Sequence, residues 1–291
     1  MAVTKYLNRI NYAHEIDVGF DSERHRSSTH AALHEHTYGI TSDPLTQFAC
    51  AFSALIHDVN HPGVPNDTLI NEDGRLAKIY RNRSVAEQRS FDLAWDLLME
   101  PPYDELRSIL CQNQAELRRF RQLVINCVMA TDLGDKELKA LRNERWRKAF
   151  SEQAAVGGKI DYQQSLNRKA TIVVEHLIQA ADVAHTCQHW SIYRKWNQRL
   201  FDEMYAAYCA GRAEKNPADY WYEGGKCTLP SLRLFIWQHG NKMSNSPLQI
   251  ELGFFDFYII PLSKKLRDCG VFGPTSDENL NYAVSSCPNH L

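Results

Sequence analysis

The sequence predicts an all-α protein. Apolar residues recur at helical spacing through most of the chain, helix-start and helix-stop residues stand at the ends of those runs, and no segment sustains the period-2 alternation of a half-buried strand. Asp43-Pro44 reads as an N-cap with Pro at the first helical position, opening a helix over 45–57 that Pro62-Gly63 stops. Ser84-Val85-Ala86-Glu87 reads as a capping box that opens a helix through Met99, and Pro101-Pro102 is a hard break. Leu117, Phe120, Leu123, Val124, Cys127 and Val128 place a helix over 115–131, and a charged amphipathic one follows over 135–150. Ile172, Val173, Leu177, Ile178 and Ala181 mark a helix over 168–185, and a long aromatic one over 188–211 ends in Gly. Helices over 254–266 and 276–284 finish the set. Gly157-Gly158 is expected in a surface loop. The stretch 225–250 is neither periodic nor rich in turn residues.

Composition narrows the function. The 291 residues are 44% hydrophobic and 23% charged with a formal net charge of −2, which excludes a disordered chain. The 33 Lys and Arg are interleaved with 35 Asp and Glu, so no basic stripe for nucleic acid is expected. The longest apolar stretches, 48–56 and 254–262, fall well short of the roughly 20 residues that span a bilayer. The first residues contain no apolar signal segment. The eight cysteines show no CxxC pairing, as expected of reduced thiols in a cytoplasmic protein rather than of a disulfide frame.

The residues most apt for chemistry lie in Ile56-His57-Asp58-Val59-Asn60-His61-Pro62-Gly63. A His followed by an Asp at a helix end offers a divalent ion an imidazole and a carboxylate, and the second carboxylate oxygen is free for a second ion. His57 and Asp58 read equally as a helix end whose imidazole favours the C-terminal dipole. His61 falls after the helix breaks, where it is suited to hold a metal-bound water. Asp182 in Ala180-Ala181-Asp182-Val183-Ala184-His185 stands among Leu177, Ile178 and Val183, costly to bury without a partner or a metal, or else exposed on a polar face. Glu87 is either the third residue of the capping box or a carboxylate that polarises metal-bound water. Thr131-Asp132 is a cap or turn, or bonds metal waters.

Together these stretches resemble the class I cyclic nucleotide phosphodiesterases. The matching text runs in family order: HDVNHPGVPND (57–67), SVAEQ (84–88), ATDL (130–133), AADVAH (180–185), YRKWNQRLFDE (193–203) and GFFDFYIIPL (253–262). His34-Glu35-His36 through Phe48 is similar to a branch seen in algae and protists, some of whose members carry regulatory or cyclase domains upstream. The resemblance implies a compact multi-helix bundle around a two-metal site, over one catalytic domain spanning 1–291. His57, Asp58 and Asp182 match family metal ligands, with Asp58 bridging a zinc and a second ion, magnesium or manganese. His61, Glu87 and Thr131 match positions that hold the bridging hydroxide and metal waters, and Phe254 matches the aromatic clamp on the purine. The implied reaction is attack of metal-activated hydroxide on the 3',5'-cyclic phosphate of cyclic AMP or cyclic GMP, releasing a 5'-nucleoside monophosphate. A generic HD-type phosphohydrolase and a non-catalytic remnant are the alternatives; GFFDFYIIPL favours the phosphodiesterase.

Four departures from the family pattern follow. The YHNxxHAxxV-like motif that supplies a general-acid His and the first metal His does not stand here. The expectation is that the chain starts at an internal Met and lacks both, with low turnover as a consequence; the alternative is substitution by His30, His34 or His36. The purine-reading Gln is Glu251, which only accepts hydrogen bonds when ionised, and the Asn expected near 185 is His185. Residues 225–250 separate Trp221-Tyr222-Glu223-Gly224 from Glu251-Leu252-Gly253 and are expected to be a foreign insertion. Gly225-Lys226 and Ile250-Glu251 are compatible with splice-donor and splice-acceptor codons, the pattern of a retained intron. The tail 285–291 also leaves the family pattern.

Overall fold

A computed structural model describes residues 2–12, 33–150, 162–217 and 253–272, and among these there are helices and turns but no strand. The stretch 225–250, Glu251, His30, Gly157-Gly158, the helix expected over 276–284 and the tail 285–291 lie outside the described residues. The described helices are α1 (Ala2–Tyr12), α2 (Pro44–Ile56), α3 (Asn66–Glu72), α4 (Gly74–Ile79), α5 (Val85–Leu98), α6 (Asp104–Leu110), α7 (Gln114–Thr131), α8 (Lys136–Phe150), α9 (Tyr162–Asp182), α10 (Trp190–Cys209) and α11 (Ile260–Asp268).

The bundle is organised around α9. Every residue from Ile172 to Ala180 is buried, so this stretch has no solvent face and must be surrounded. Helices α1, α2, α7, α8 and α11 all pack on it. One apolar cluster joins Val173, Leu177 and Ile178 of α9 to Val3, Tyr6, Leu7 and Ile10 of α1 and to Ile259, Leu262 and Leu266. A second joins α2 to α7 through Ala49, Ile56, Phe120, Val124 and Val128. There the Phe120 ring lies 5.8 Å from those of Phe48 and Phe52.

The start of α2 is built as expected: the Asp43 carboxylate accepts from the Thr46 N–H at 3.2 Å, and Arg119 of α7 pairs with the same carboxylate. Other boundaries differ. Ser84 sits in the left-handed region at φ 39° and makes no cap; its hydroxyl instead donates to Asp132 at 2.7 Å, so the capping box is absent. Helix α9 starts earlier than expected and ends at Asp182, which leaves His185 in a 3-10 turn, Ala184–Cys187. The run 254–266 is interrupted by a π turn, Phe255–Ile259, in which the Ile260 N–H reaches back to the Phe255 carbonyl. Pro261 follows directly; it has no N–H to donate, and its ring would crowd the carbonyl four residues back in an unbroken α-helix. The short helices α3, α4 and α6 and the N-terminal α1 were not anticipated, although Val3, Tyr6, Leu7 and Ile10 repeat at helical spacing.

Burial pushes the Asp43 pKa up, but the Arg119 and Thr46 partners outweigh it and hold the carboxyl below its ordinary 3.8. A depressed folded pKa contributes stability above the unfolded value, and that contribution is lost as pH falls through the folded pKa. Asp43→Ala is therefore expected to cost about 1–2 kcal/mol at pH 7, with the gap to wild type closing below pH ~4. Urea unfolding of both proteins across that range measures it, and a gap independent of pH would contradict it.

Candidate metal centre

Three packed helices end at one place. Helix α2 ends at Ile56, just before His57 and Asp58, and α9 ends in Asp182. The end of α7 lies beside α9, because Gln179 donates to the Ala130 carbonyl at 2.8 Å. Each helix C-terminus carries a partial negative charge, so their meeting disfavours anions and favours cations. The turn after α2 is held by Val59 N–H to Ile56 O (3.0 Å), His61 N–H to Asp58 O (3.0 Å), and left-handed Asn60 at φ 60°. The Ser90 hydroxyl of α5 donates to the Val59 carbonyl at 2.9 Å and pins the turn from outside.

One ligand atom each from His57, Asp58 and Asp182 lies within 4.8 Å of the other two. His57 Nε2 is 3.2 Å from Asp58 Oδ2 and 3.3 Å from Asp182 Oδ1. His57 Nδ1 stands 3.1 Å from the Ala54 carbonyl; donation there fixes the ring and leaves Nε2 facing the carboxylates, the arrangement a metal-ligating imidazole needs. Burial alone would lower the His57 pKa, yet hydrogen bonds and charge from Asp182 and Asp58 push it up to about 10. The hydrogen bond from His57 in turn holds Asp58 below the ordinary carboxylate value, against a smaller opposing effect of burial. The positive charge on His57 thus offsets the two carboxylates.

Beside this trio, His61, Glu87 and Thr131 line a cavity of about 360 Å³ together with Asn66, Ser84 and Asp132. Glu87 Oε2 accepts from Asn66 Nδ2 at 3.0 Å, and Asn66 Oδ1 accepts the Ala86 N–H at 2.9 Å. Asn66 therefore serves as the cap of α5 in place of Ser84. Burial raises the Glu87 pKa, the Asn66 hydrogen bond opposes it, and the charge on Asp132 adds to the rise. His61 is exposed and close enough to Asp58 and Glu87 to lower the pKa of both. The Thr131 hydroxyl donates to the Val128 carbonyl of its own helix at 2.7 Å.

Asp132 is the buried hub of this cavity. Its Oδ2 accepts from Ser84, and its Oδ1 from the Gly134 and Asp135 N–H groups at 2.8 and 3.1 Å. Arg142 donates to the Met129 carbonyl at 3.1 Å and to the Asp132 carbonyl at 3.0 Å. With Thr131 and Gln179 it satisfies the carbonyls that α7 leaves open at its C-terminus. Asn66, Arg142, Gln179 and Ser90 escaped the sequence reading. Asn66 lies within the HDVNHPGVPND text, but nothing in the sequence separates the other three from ordinary polar residues of helices.

Of the residues expected to read the base, His185 and Phe254 are described, and each packs against an aromatic ring. The His185 ring stacks on Tyr193 with centroids 6.3 Å apart, and Tyr193 packs against Phe255 at 6.3 Å. Phe254 is 37% exposed and stacks on Tyr258 at 5.3 Å. Burial lowers the His185 pKa against the opposing pull of Asp182. His34 faces another cavity and its ring crowds Gly39, while His36 lies against Gly270, so neither joins the His57 group.

A family model described as 3'5'-cyclic nucleotide phosphodiesterase matches residues 26–278. The chain is 26% identical over 258 residues to a probable 3',5'-cyclic-AMP phosphodiesterase of Caenorhabditis elegans, covering 89% of this chain and 34% of that protein. It is 27% identical over 206 residues to the Mus musculus 3',5'-cyclic-AMP phosphodiesterase 4C, covering 69% of this chain and 29% of that protein. It is also 25% identical over 287 residues to the Mus musculus dual specificity calcium/calmodulin-dependent 3',5'-cyclic nucleotide phosphodiesterase 1C, covering 93% and 35%. The chain thus spans about a third of the length of the curated relatives it matches. No described helix is long and apolar enough to cross a membrane. With the family model matched over most of its length, the chain belongs to the 3'5'-cyclic nucleotide phosphodiesterases, a metal-dependent family, and it carries a candidate His/Asp donor group.

Proposed function

We propose that this protein hydrolyses 3',5'-cyclic nucleotides to 5'-nucleoside monophosphates in cyclic-nucleotide signalling. The observation that carries the reading is the convergence of His57, Asp58 and Asp182 in a chain of this family. The donor set fits a divalent cation: one imidazole nitrogen already aimed inward, two carboxylates, and helix C-termini around them. His57, Asp58 and Asp182 would hold the metals of a two-ion site, zinc with magnesium or manganese. Such ions lower the pKa of bound water and stabilise charge on phosphoryl oxygens.

The remaining roles belong to the chain's own side chains. Glu87, its carboxylate oriented by Asn66, accepts a proton from water in the cavity it shares with His61 and Thr131. His61 and Thr131 orient that water. Phe254, 37% exposed, offers a ring face to the purine, and Glu251 accepts from a donor edge, either the exocyclic amine of adenine or the N1–H and amine of guanine. We further read 1–291 as one catalytic domain interrupted by an insertion at 225–250, for which genomic codons at 225, 226, 250 and 251 are the test. A cytoplasmic location fits the free thiols among the described cysteines.

A second reading, a remnant that binds without turnover, is favoured by the single imidazole in the donor group. With no proton donor for the leaving 3' oxygen among the grouped residues, a loss of roughly 10²–10⁴ in rate is expected. Metal content separates the two readings, because a hydrolase retains at least one ion per chain after desalting and a remnant less.

Slow release of 5'-AMP or 5'-GMP that stops with EDTA is the expected activity, and Asp58→Ala and Asp182→Ala should each lower metal affinity on the order of 10²-fold. Chromatography of the products and metal analysis measure both; EDTA-insensitive turnover would refute the reading. Phe254→Ala is expected to raise KM with a smaller change in kcat. The raised His57 pKa stabilises the metal-free protein fully below pH 6.5, and this contribution is lost as pH rises through about 10. A cation must displace that proton, so zinc addition at pH 7.5 is expected to release about one proton per site. Indicator-dye titration detects it, and His57→Ala should abolish it.

A further inference from the structure

Between α8, α9 and the π turn with α11 lies a second cavity of about 110 Å³. Three basic side chains line it, Lys139, Arg142 and Lys265, and no carboxylate does. Arg142 is buried and anchored on the Met129 and Asp132 carbonyls, so its charge cannot swing out to water. Lys265 Nζ is fixed by Asn143 Oδ1 at 2.6 Å and stands 3.4 Å from His176 Nε2. His176 Nδ1 is 2.7 Å from the Ile172 carbonyl and donates there, so the ring facing Lys265 is a neutral acceptor. Glu175, the buried acid of the same helix, turns to Arg145 at 3.0 Å. The cations around the cavity are therefore only partly offset.

Tyr258 also lines the cavity, and among the described residues its hydroxyl is buried with no hydrogen-bond partner. A buried unpaired hydroxyl costs about 1–3 kcal/mol, so a partner for it is expected. Water would satisfy the hydroxyl but would leave the charge excess. An anion does both. Liquid water occupies about 30 Å³ per molecule, so the cavity has room for an ion the size of phosphate, whereas drug-sized and nucleotide ligands need pockets of about 300 Å³ or more.

We infer that this cavity binds a phosphate-sized oxyanion, held by Lys139, Lys265 and the Tyr258 hydroxyl in the field of Arg142. The site contains none of His57, Asp58 and Asp182 and does not rest on the hydrolase reading. Arg142 connects it to the end of α7, and through Asp132 to Ser84 and the Asn66–Glu87 pair. Equilibrium dialysis with labelled inorganic phosphate at constant ionic strength tests it on the metal-loaded full chain. The expected result is saturable binding that persists in Asp58→Ala/Asp182→Ala and in EDTA-treated wild type. Binding should weaken about tenfold or more in Lys265→Met and in Lys139→Ala. Lys139 is exposed, so its variant keeps the test valid if Lys265→Met does not fold. Loss of binding with the carboxylates, equal affinity in wild type and Lys139→Ala, or no binding by wild type would each overturn the inference.

Discussion

Burying the Ile172–Ala180 stretch of α9 on every side is the constraint from which the candidate site follows. A helical stretch with no solvent-facing side is stable only when neighbours enclose it, and α2 and α7 take part in this while packing on each other. Their ends then meet, and three helix C-termini bring their partial negative charge to one corner of the molecule. That corner also holds Asp58, Asp182, Glu87 and Asp132. Repulsion there must be offset by hydrogen bonds, by the charge on His57, or by a cation.

The helix end at Thr131 shows how the fold meets this demand. Buried carbonyls need donors, and here they come from Thr131, Arg142 and Gln179 rather than from the next turn of helix. Arg142 accordingly supplies charge where the backbone is most negative. Burial lowers its pKa, while Glu175, Tyr258, Asp132 and Asp135 work to raise it. Positive charge thus accumulates on the α8 side of α9 and negative charge on the α2 side. The cation-seeking corner and the basic cavity adjoin at Leu133, and Arg142 bonds the end of α7 from the basic side.

Strained backbone is concentrated in the segments that shape the site. Asn60, Asn82 and Ser84 all have positive φ, and each lies in a turn that feeds the His57 group or the Glu87 cavity. Ser84 gives up the capping role for which its residue type is suited and binds Asp132 instead, leaving the α5 N-terminus to Asn66. Gly63 has φ 70°, a left-handed conformation that favours glycine, where the HPG turn lies against Glu203 of α10.

Much of this was legible along the chain. Periodicity located α2, α5, α7, α8, α9 and α10 to within a few residues at most of their ends, because the spacing of apolar side chains is fixed by helix geometry itself. The HD pair and Asp182 stood out as chemically apt by residue type. Ser84 misled because a capping box is a local pattern, whereas its hydroxyl was claimed by Asp132 from another helix. The π turn escaped notice because apolar spacing alone runs a helix unbroken over 254–266, through Pro261. Local sequence therefore determined which segments are helical and which side chains can ligate. The tertiary structure decided which of them meet, since a 3.3 Å approach between His57 and Asp182 depends on how α2 and α9 pack, a property carried by the whole core and by no single motif.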